Sequence, residues 1–268
     1  MPSILSVNNL TYKINEKIFF NEFSLNIEQG KITSIIAPNK SGKTLLTKIL
    51  CAIIPTDNVC TLDGIKLNKQ NVLNYITKIG IVTNEFNKKF LFKKVRDELA
   101  FPLQNLGYPE HKINKTILKI SKVFGITDLL NKNIEDLNIS TRYKLLIVLA
   151  LVHNPKVLIL DDAFLEMNQD DQEFMLEKLK ELKNEGLTVL NITSKLDTIY
   201  DSDRVLVLNN FKIEEEGSVL EILEQDAYLN QIGLTIPFII DLSIKLKFYA
   251  LIDKIYFDLD KLEADLWK

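Results

Sequence analysis

Long apolar runs are missing from this 268-residue chain. The longest, Leu145 to Val152 and the stretch around Pro237 to Ile240, fall well short of the ~18 to 20 residues needed to span a bilayer. Any membrane association therefore goes through a partner. A secretory leader is equally unreadable, because MPSILSVNNL has neither a basic n-region nor an apolar h-region, and a cytoplasmic location is expected. Cysteine is scarce: Cys51 and Cys60 are the only two. No histidine-cysteine spacing suits zinc, so buried or idle thiols in a reducing compartment are expected. There is no basic surplus either. Lysine and arginine number 33 against 36 acidic residues, for a net charge of -3 and a pI near 5.6. The basic residues are spread along the chain, which disfavours nucleic acid as a partner. Tandem repeats, low-complexity blocks and Pro/Gly/Ser linkers are absent too, so one domain dominates.

What is present is the composition of a folded protein, 46% hydrophobic and 26% charged. Strand-like runs near both ends, Ile4 to Val7 and Arg204 to Leu208, bracket longer periodic segments. This pattern predicts a mixed α/β architecture with a helical insertion. Two runs read as central strands covered on both faces, KITSII (Lys31 to Ile36) and KVLIL (Lys156 to Leu160). The first leads directly into APNKSGKT (Ala37 to Thr44), and LLTKIL follows with helical character. Strand, glycine-bearing loop and helix are the context that a phosphate-binding loop requires. In such a loop backbone N–H groups converge on phosphate oxygens at a helix N-terminus, a lysine reaches the β- and γ-phosphates, and a hydroxyl binds Mg2+. Gly42, Lys43 and Thr44 supply the second half of the motif intact. Its first glycine is replaced by Ala37, which is tolerable at negative φ and costs ~1 kcal/mol or more at positive φ. Lys40 adds a positive charge. Ala37, Pro38, Asn39, Lys40, Ser41, Gly42, Lys43 and Thr44 are thus the expected residues for binding ATP or GTP.

KVLIL ends at Asp161 and Asp162. Asp161 is placed to hold Mg2+, directly or through water, with Asp162 as the general base or water-positioning carboxylate. The alternative is that both acids merely cap a turn. His153, just before Asn154-Pro155, reads as a surface or capping residue, not a catalytic one. Near the C-terminus, DLDKLEADLWK sets Leu259, Leu262, Leu266 and Trp267 at helical spacing after an N-cap Asp258. That stripe packs either on its own domain or on another chain.

With these motifs in this order, the sequence resembles an ATP-binding cassette (ABC) ATPase nearly end to end. The segments that carry the likeness are GKITSIIAPNKSGKTLL, LNISTRYKLLIVLALVHNPKVLILDDAF, LTVLNITSKLD and SDRVLVLNNFKIEEEGSVLEIL. Within that superfamily, IGIVTNEFNKKFLFKKVRDELAFPLQNLGYP and IGLTIPFIIDLSIKL resemble the energy-coupling factor (ECF) transporter ATPases, which power uptake of vitamins or transition-metal ions. The resemblance implies an α/β P-loop ATPase with a RecA-like core, an N-terminal antiparallel β subdomain, a helical subdomain and a small C-terminal helical tail. It implies an ATP-binding domain over residues 1–230, with the helical subdomain at about 86–152, and a C-terminal extension over 231–268 that is a candidate dimerisation element. ATP and Mg2+ are the implied cofactors. The implied partners are a second cassette, a transmembrane coupling subunit and a substrate-binding membrane subunit, which places the chain at the cytoplasmic face of the membrane. The groove for a coupling helix would lie in the helical subdomain, whose Lys88-Lys89 and Lys93-Lys94 pairs otherwise read as a solvated face.

Departures from the family pattern cluster where the nucleotide would sit. The family's glutamine falls at Asn84, which would join Thr44 and Asp161 at the metal. Its catalytic glutamate falls at Asp162, one methylene shorter, and a displacement of about 1 Å costs on the order of 10²-fold in rate. The switch histidine is Ser194, the adenine-stacking aromatic is Ile14 with Tyr12 two residues earlier on the same face, and the dimer-loop aspartate is Asn168. The L-S-G-G-Q signature reads L-N-I-S-T, from Leu137 to Thr141, with Ile139 and Ser140 replacing glycines and Asn138 remaining as a donor. The binding half is kept and the hydrolytic half is eroded, leaving Lys43 and Asp162 as the catalytic residues. Three functions fit: an importer ATPase with slow turnover, a non-hydrolysing scaffold cassette, or a soluble cassette protein of repair or translation. The last is disfavoured because a second cassette and a long coiled insertion are both absent. A heterodimer with a more complete cassette is expected over a homodimer.

Overall fold

Two twelve-residue strands, β1 (Ser3–Ile14) and β2 (Lys17–Glu28), pair antiparallel through Asn15-Glu16, which both take positive φ (44° and 66°) as a tight hairpin turn demands. In the computed structural model, which describes residues 2–83 and 90–267, β3 (Ile32–Ile36) then runs into α1 (Lys43–Leu50). β4 (Cys60–Leu62), β5 (Ile65–Lys66), α2 (Val72–Ile76) and β6 (Ile79–Thr83) follow. Between β6 and β7 (Val157–Asp161) lie the helices α3 (Val95–Asn105), α4 (Glu110–Val123) and α5 (Ile139–Leu151), which form the predicted insertion. The chain continues through α6 (Gln169–Asn184), β8 (Thr188–Thr193), β9 (Arg204–Asn209) and β10 (Lys212–Gly217). It ends in α7 (Val219–Leu223), α8 (Asp226–Gln231), α9 (Phe238–Phe248) and α10 (Leu259–Leu266).

Among the described residues these strands form a four-stranded sheet, ordered β2-β1-β4-β5, and a six-stranded sheet, ordered β10-β9-β3-β8-β7-β6. From β9 to β6 the larger sheet is parallel, and β10 closes one edge antiparallel. Every residue of β3, β7 and β8 is buried. Strands covered on both faces need no polar alternation, which is why ITSII and VLILD read as continuous apolar runs. One face packs on α1 and the small sheet, through Leu46, Ile49, Ile159 and Leu206. The other packs on the insertion helices and α6, through Leu158, Leu160, Leu145 and Met175. β8 lies between β3 and β7, so the loops leaving β3 and β7 open a crevice at the carboxyl edge, where parallel sheets bind ligands.

At the C-terminus Asp258 caps α10 by accepting the Lys261 N–H at 3.0 Å. The apolar stripe there is divided: Leu262 is buried with Ile252 and Tyr256, whereas Leu259, Leu266 and Trp267 are exposed, Trp267 at 83%. Among the described residues no helix is long and apolar enough to cross a membrane.

Candidate nucleotide site

The loop between β3 and α1 is anchored by backbone hydrogen bonds to its neighbours. Ala37 N–H donates to the Thr193 carbonyl (2.9 Å), and the Ser41 carbonyl accepts from Phe211 N–H (2.9 Å). Ala37 is fully buried and is not among the residues at positive φ. Left-handed backbone falls instead on Lys40 (67°) and Gly42 (108°), so the strain weighed for the missing first glycine does not arise at Ala37. Pro38 is buried at the back of the loop, while Asn39 and Lys40 are exposed on it. Gly42 caps α1, and Lys43 and Thr44 form its first turn.

Among the described residues Ser41 Oγ is buried in this loop with no hydrogen-bond partner, and Lys43 Nζ is buried with a single ion-pair partner. Both point to an anion, because a buried donor left unmet costs more than one that finds a partner. Lys43 Nζ lies 2.5 Å from Asp162 Oδ2, with the two side chains only 10% and 9% exposed, an ion pair whose close partners offset the loss of hydration. Buried donors at a helix N-terminus fit the phosphates of a nucleotide.

Across the crevice β7 delivers the two acids. Asp161 is its last residue and is buried, and α1 packs against this strand. Asp162 turns into left-handed backbone (φ 52°), and its N–H donates to the Ile192 carbonyl (2.8 Å). Its Oδ1 accepts from Ser194 N–H (3.0 Å) and from Ser194 Oγ (3.3 Å). The Asp162 carboxylate therefore links the exits of β7 and β8 to the loop lysine instead of capping a local turn. Thr83, opposite Asp161 in register, adds a buried hydroxyl with no partner among the described residues. Asn84, the third expected metal residue, lies outside the described residues, as do Phe86, Lys88 and Lys89. Among the described residues no cluster of three His, Cys, Asp or Glu side chains can hold a metal by itself. A Mg2+ ion that takes most of its ligands from phosphates and water needs few protein groups, and Thr44 and Asp161 are suited to that part.

The signature segment begins α5. Asn138 is its N-cap and accepts the Thr141 N–H at 2.8 Å, so its side-chain oxygen is engaged within the chain. Ile139 is 57% exposed. Ser140 is buried, donates to Asp171 Oδ2 (2.6 Å) and accepts from Asn168 N–H (3.2 Å). Asn168 in turn caps α6 by accepting the Asp171 N–H (2.8 Å), and Lys144 stands 3.6 Å from Asp171. The serine that replaces a family glycine thus joins the first turns of α5 and α6. Sequence reasoning did not find Asp171, although an acid three residues after a capping asparagine was a readable signal. It also did not find Phe211, whose ring lies against Gly42.

Other expected positions lie apart. Ile14 is 45% exposed at the end of β1, and Tyr12 is half-buried. His153 is half-buried with Nε2 3.1 Å from the carbonyl of Ile79, the first residue of β6, at the sheet edge opposite the crevice. Burial pushes its pKa down, opposed by that hydrogen bond. Cys51 and Cys60 are free and buried, and burial raises both thiol pKa values.

The sequence pattern of the ABC transporter family matches residues 20–165, a span that takes in the phosphate loop, L-N-I-S-T and both aspartates. The chain belongs to this family. Its similarity to proteins named energy-coupling factor transporter ATP-binding protein covers most of its length. EcfA1 of Mycoplasma mobile is 30% identical over 269 residues, 99% of this chain and 97% of its own. EcfA of Pediococcus pentosaceus is 30% identical over 243 residues, 89% and 87% respectively. Among solved structures, cbiO1 from Clostridium perfringens, described as part of the ABC transporter complex cbiONQ, matches with a TM-score of 0.75 at 25% identity, covering 88% of this chain and 96% of that one. A dimeric ATP-binding cassette bound to ADP and Pi shares the fold, with a TM-score of 0.71 at 24% identity over 80% of this chain and 98% of that one. The α/β ABC-type fold implied by the sequence is the fold observed, in an ABC ATPase close to the ECF branch.

Proposed function

We propose that this chain is the ATP-binding subunit of an ECF-type importer, one cassette of an unequal pair that binds Mg-ATP, turns it over slowly and so drives uptake of a vitamin or metal ion. The observation that carries this function is the buried pair of donors, Ser41 Oγ and Lys43 Nζ, facing the crevice where Asp162 emerges. The loop amides of Asn39, Lys40, Gly42 and Lys43, with the Lys43 side chain, bind the phosphates. Thr44 and Asp161, with Asn84, hold Mg2+, which supplies neutralisation of the charge that develops on the phosphoryl oxygens. Asp162 orients the attacking water and takes its proton. To do so it gives up Lys43, while Ser194 continues to donate to its other oxygen.

The partners are a more complete second cassette, a transmembrane coupling subunit docked on the helical subdomain, and a membrane subunit that binds the solute. The chain then works as a peripheral protein on the cytoplasmic face of the membrane. Residues 1–230 form the nucleotide-binding domain and 231–268 the extension that contacts the partner cassette. Mg-ATP turnover by the complex that co-purifies with a tagged copy in mild detergent tests this, wild type beside Lys43→Ala. Collapse of turnover in the variant is the expected result.

A second function, a scaffold cassette that binds nucleotide without hydrolysing it, is favoured by one observation. Both oxygens of Asp162 are engaged within the chain, by Lys43 and Ser194. Turnover unchanged by Lys43→Ala would put the scaffold in place of the motor.

A further inference from the structure

We infer that Phe211 is a positioning residue of the nucleotide site, holding the phosphate loop from behind in its binding conformation. The inference rests on Ala37 to Thr44 being the nucleotide loop. Strands β9 and β10 are joined by a two-residue turn, because Asn209 pairs with Lys212 and leaves Asn210 and Phe211 between them, at φ 47° and 63°. Two positive φ values favour Asn-Gly at such a turn. The asparagine is present, but the glycine position holds a phenylalanine. A bulky side chain at positive φ is a true outlier, and it persists only where its surroundings over-determine it.

Those surroundings are the phosphate loop on one side and the N-terminal sheet on the other. The ring lies so close to Gly42 that a Cβ there would meet Phe211 Cδ1 at 2.4 Å and Cε1 at 2.8 Å. It meets Phe19 edge-on (centroids 5.2 Å, 84°) and Phe20 edge-on (5.5 Å, 90°). Phe20 is fully buried and packs on Phe23. A chain of aromatic contacts therefore runs from β2 through Phe211 to the residue that caps α1. The backbone adds direction. Phe211 N–H holds the Ser41 carbonyl at 2.9 Å, and in a trans peptide the N–H of the next residue points the opposite way. Tying back the Ser41 carbonyl thus turns the Gly42 N–H away from Phe211, as a donor to a phosphate must be.

Binding of ATP and of inorganic tripolyphosphate, both with Mg2+, to the full-length chain separates the outcomes, comparing wild type, Phe211→Gly, Phe211→Tyr and Lys43→Ala. Phe211→Gly suits the turn but gives up the ring contacts with Phe19 and Phe20, so its binding is measured well below its own thermal midpoint, where the variant is folded. There it should weaken both ligands by about tenfold, because the loop is no longer preorganised. Phe211→Tyr, which keeps the ring, should bind like wild type. Wild-type affinity of Phe211→Gly for ATP would overturn the inference. So would a loss for ATP that leaves tripolyphosphate unchanged, since the ring would then serve the base. A wild-type chain that binds neither ligand, or a Lys43→Ala chain that binds both normally, would instead remove the nucleotide site itself.

Discussion

Asp162 is the proposed catalytic carboxylate, and its backbone bears on its identity. Left-handed φ is visited by aspartate more readily than by longer side chains, which lose ~1 to 2 kcal/mol there. The missing methylene and the strained backbone are therefore linked. Asp162→Glu should raise phosphate release by the co-purified complex about tenfold or more, given how steeply rate depends on 1 Å of placement. It should also lower stability by ~1 kcal/mol in a urea titration. Unchanged release would mean that side-chain length does not limit hydrolysis. At the opposite sheet edge, His153 has a pKa held below 6.5 by burial. Once the pH falls below 6.5, the unfolded chain takes up a proton that the folded chain refuses, so stability is lost from there down to the folded pKa. His153→Gln should flatten the fall of the thermal midpoint as the pH drops below 6.5, and equal slopes would count against it.

At the scale of elements, Ser140 changes meaning. Read in sequence it is a lost glycine, but in the fold it is the bolt between α5 and α6. Restoring the family residue with Ser140→Gly should therefore destabilise the chain by about 1.5 to 3 kcal/mol, the range for a hydrogen bond to a charged group. Chemical denaturation checks this, and a gain in stability would show that the bond contributes little. What could be read in advance has the same physical boundary. β3 and β7 were legible because burial on both faces leaves continuous apolar runs, and the loop after β3 because a glycine and a lysine open the helix that follows it. β1 was legible only from Ile4 to Val7. Its later half is irregular in register and holds Asn9 at positive φ, so no period-2 pattern survives. Phe211 was silent because a hairpin turn announces itself by glycine, and here the ring took that place to meet the loop.

At the scale of the whole molecule, the C-terminal helices leave apolar side chains in solvent. Phe248 (83% exposed), Tyr249 (71%) and Trp267 (83%) are large groups that their own domain does not cover. A double variant, Phe248→Ser with Trp267→Ser, should keep a thermal midpoint close to wild type, since both side chains are largely exposed. It should recover much less of the second cassette in a pull-down. Full recovery would place the cassette contact elsewhere. The ion pair between Lys43 and Asp162 has a consequence at this scale too. The Lys43 ammonium proposed to hold phosphate is already answered by an anion of the protein. A cell holds abundant inorganic phosphate and monophosphates, and any such visitor must outcompete a carboxylate that never diffuses away. A ligand bringing several negative charges and many amide contacts at once is what parts the two, so the ion pair sets a threshold against small anions.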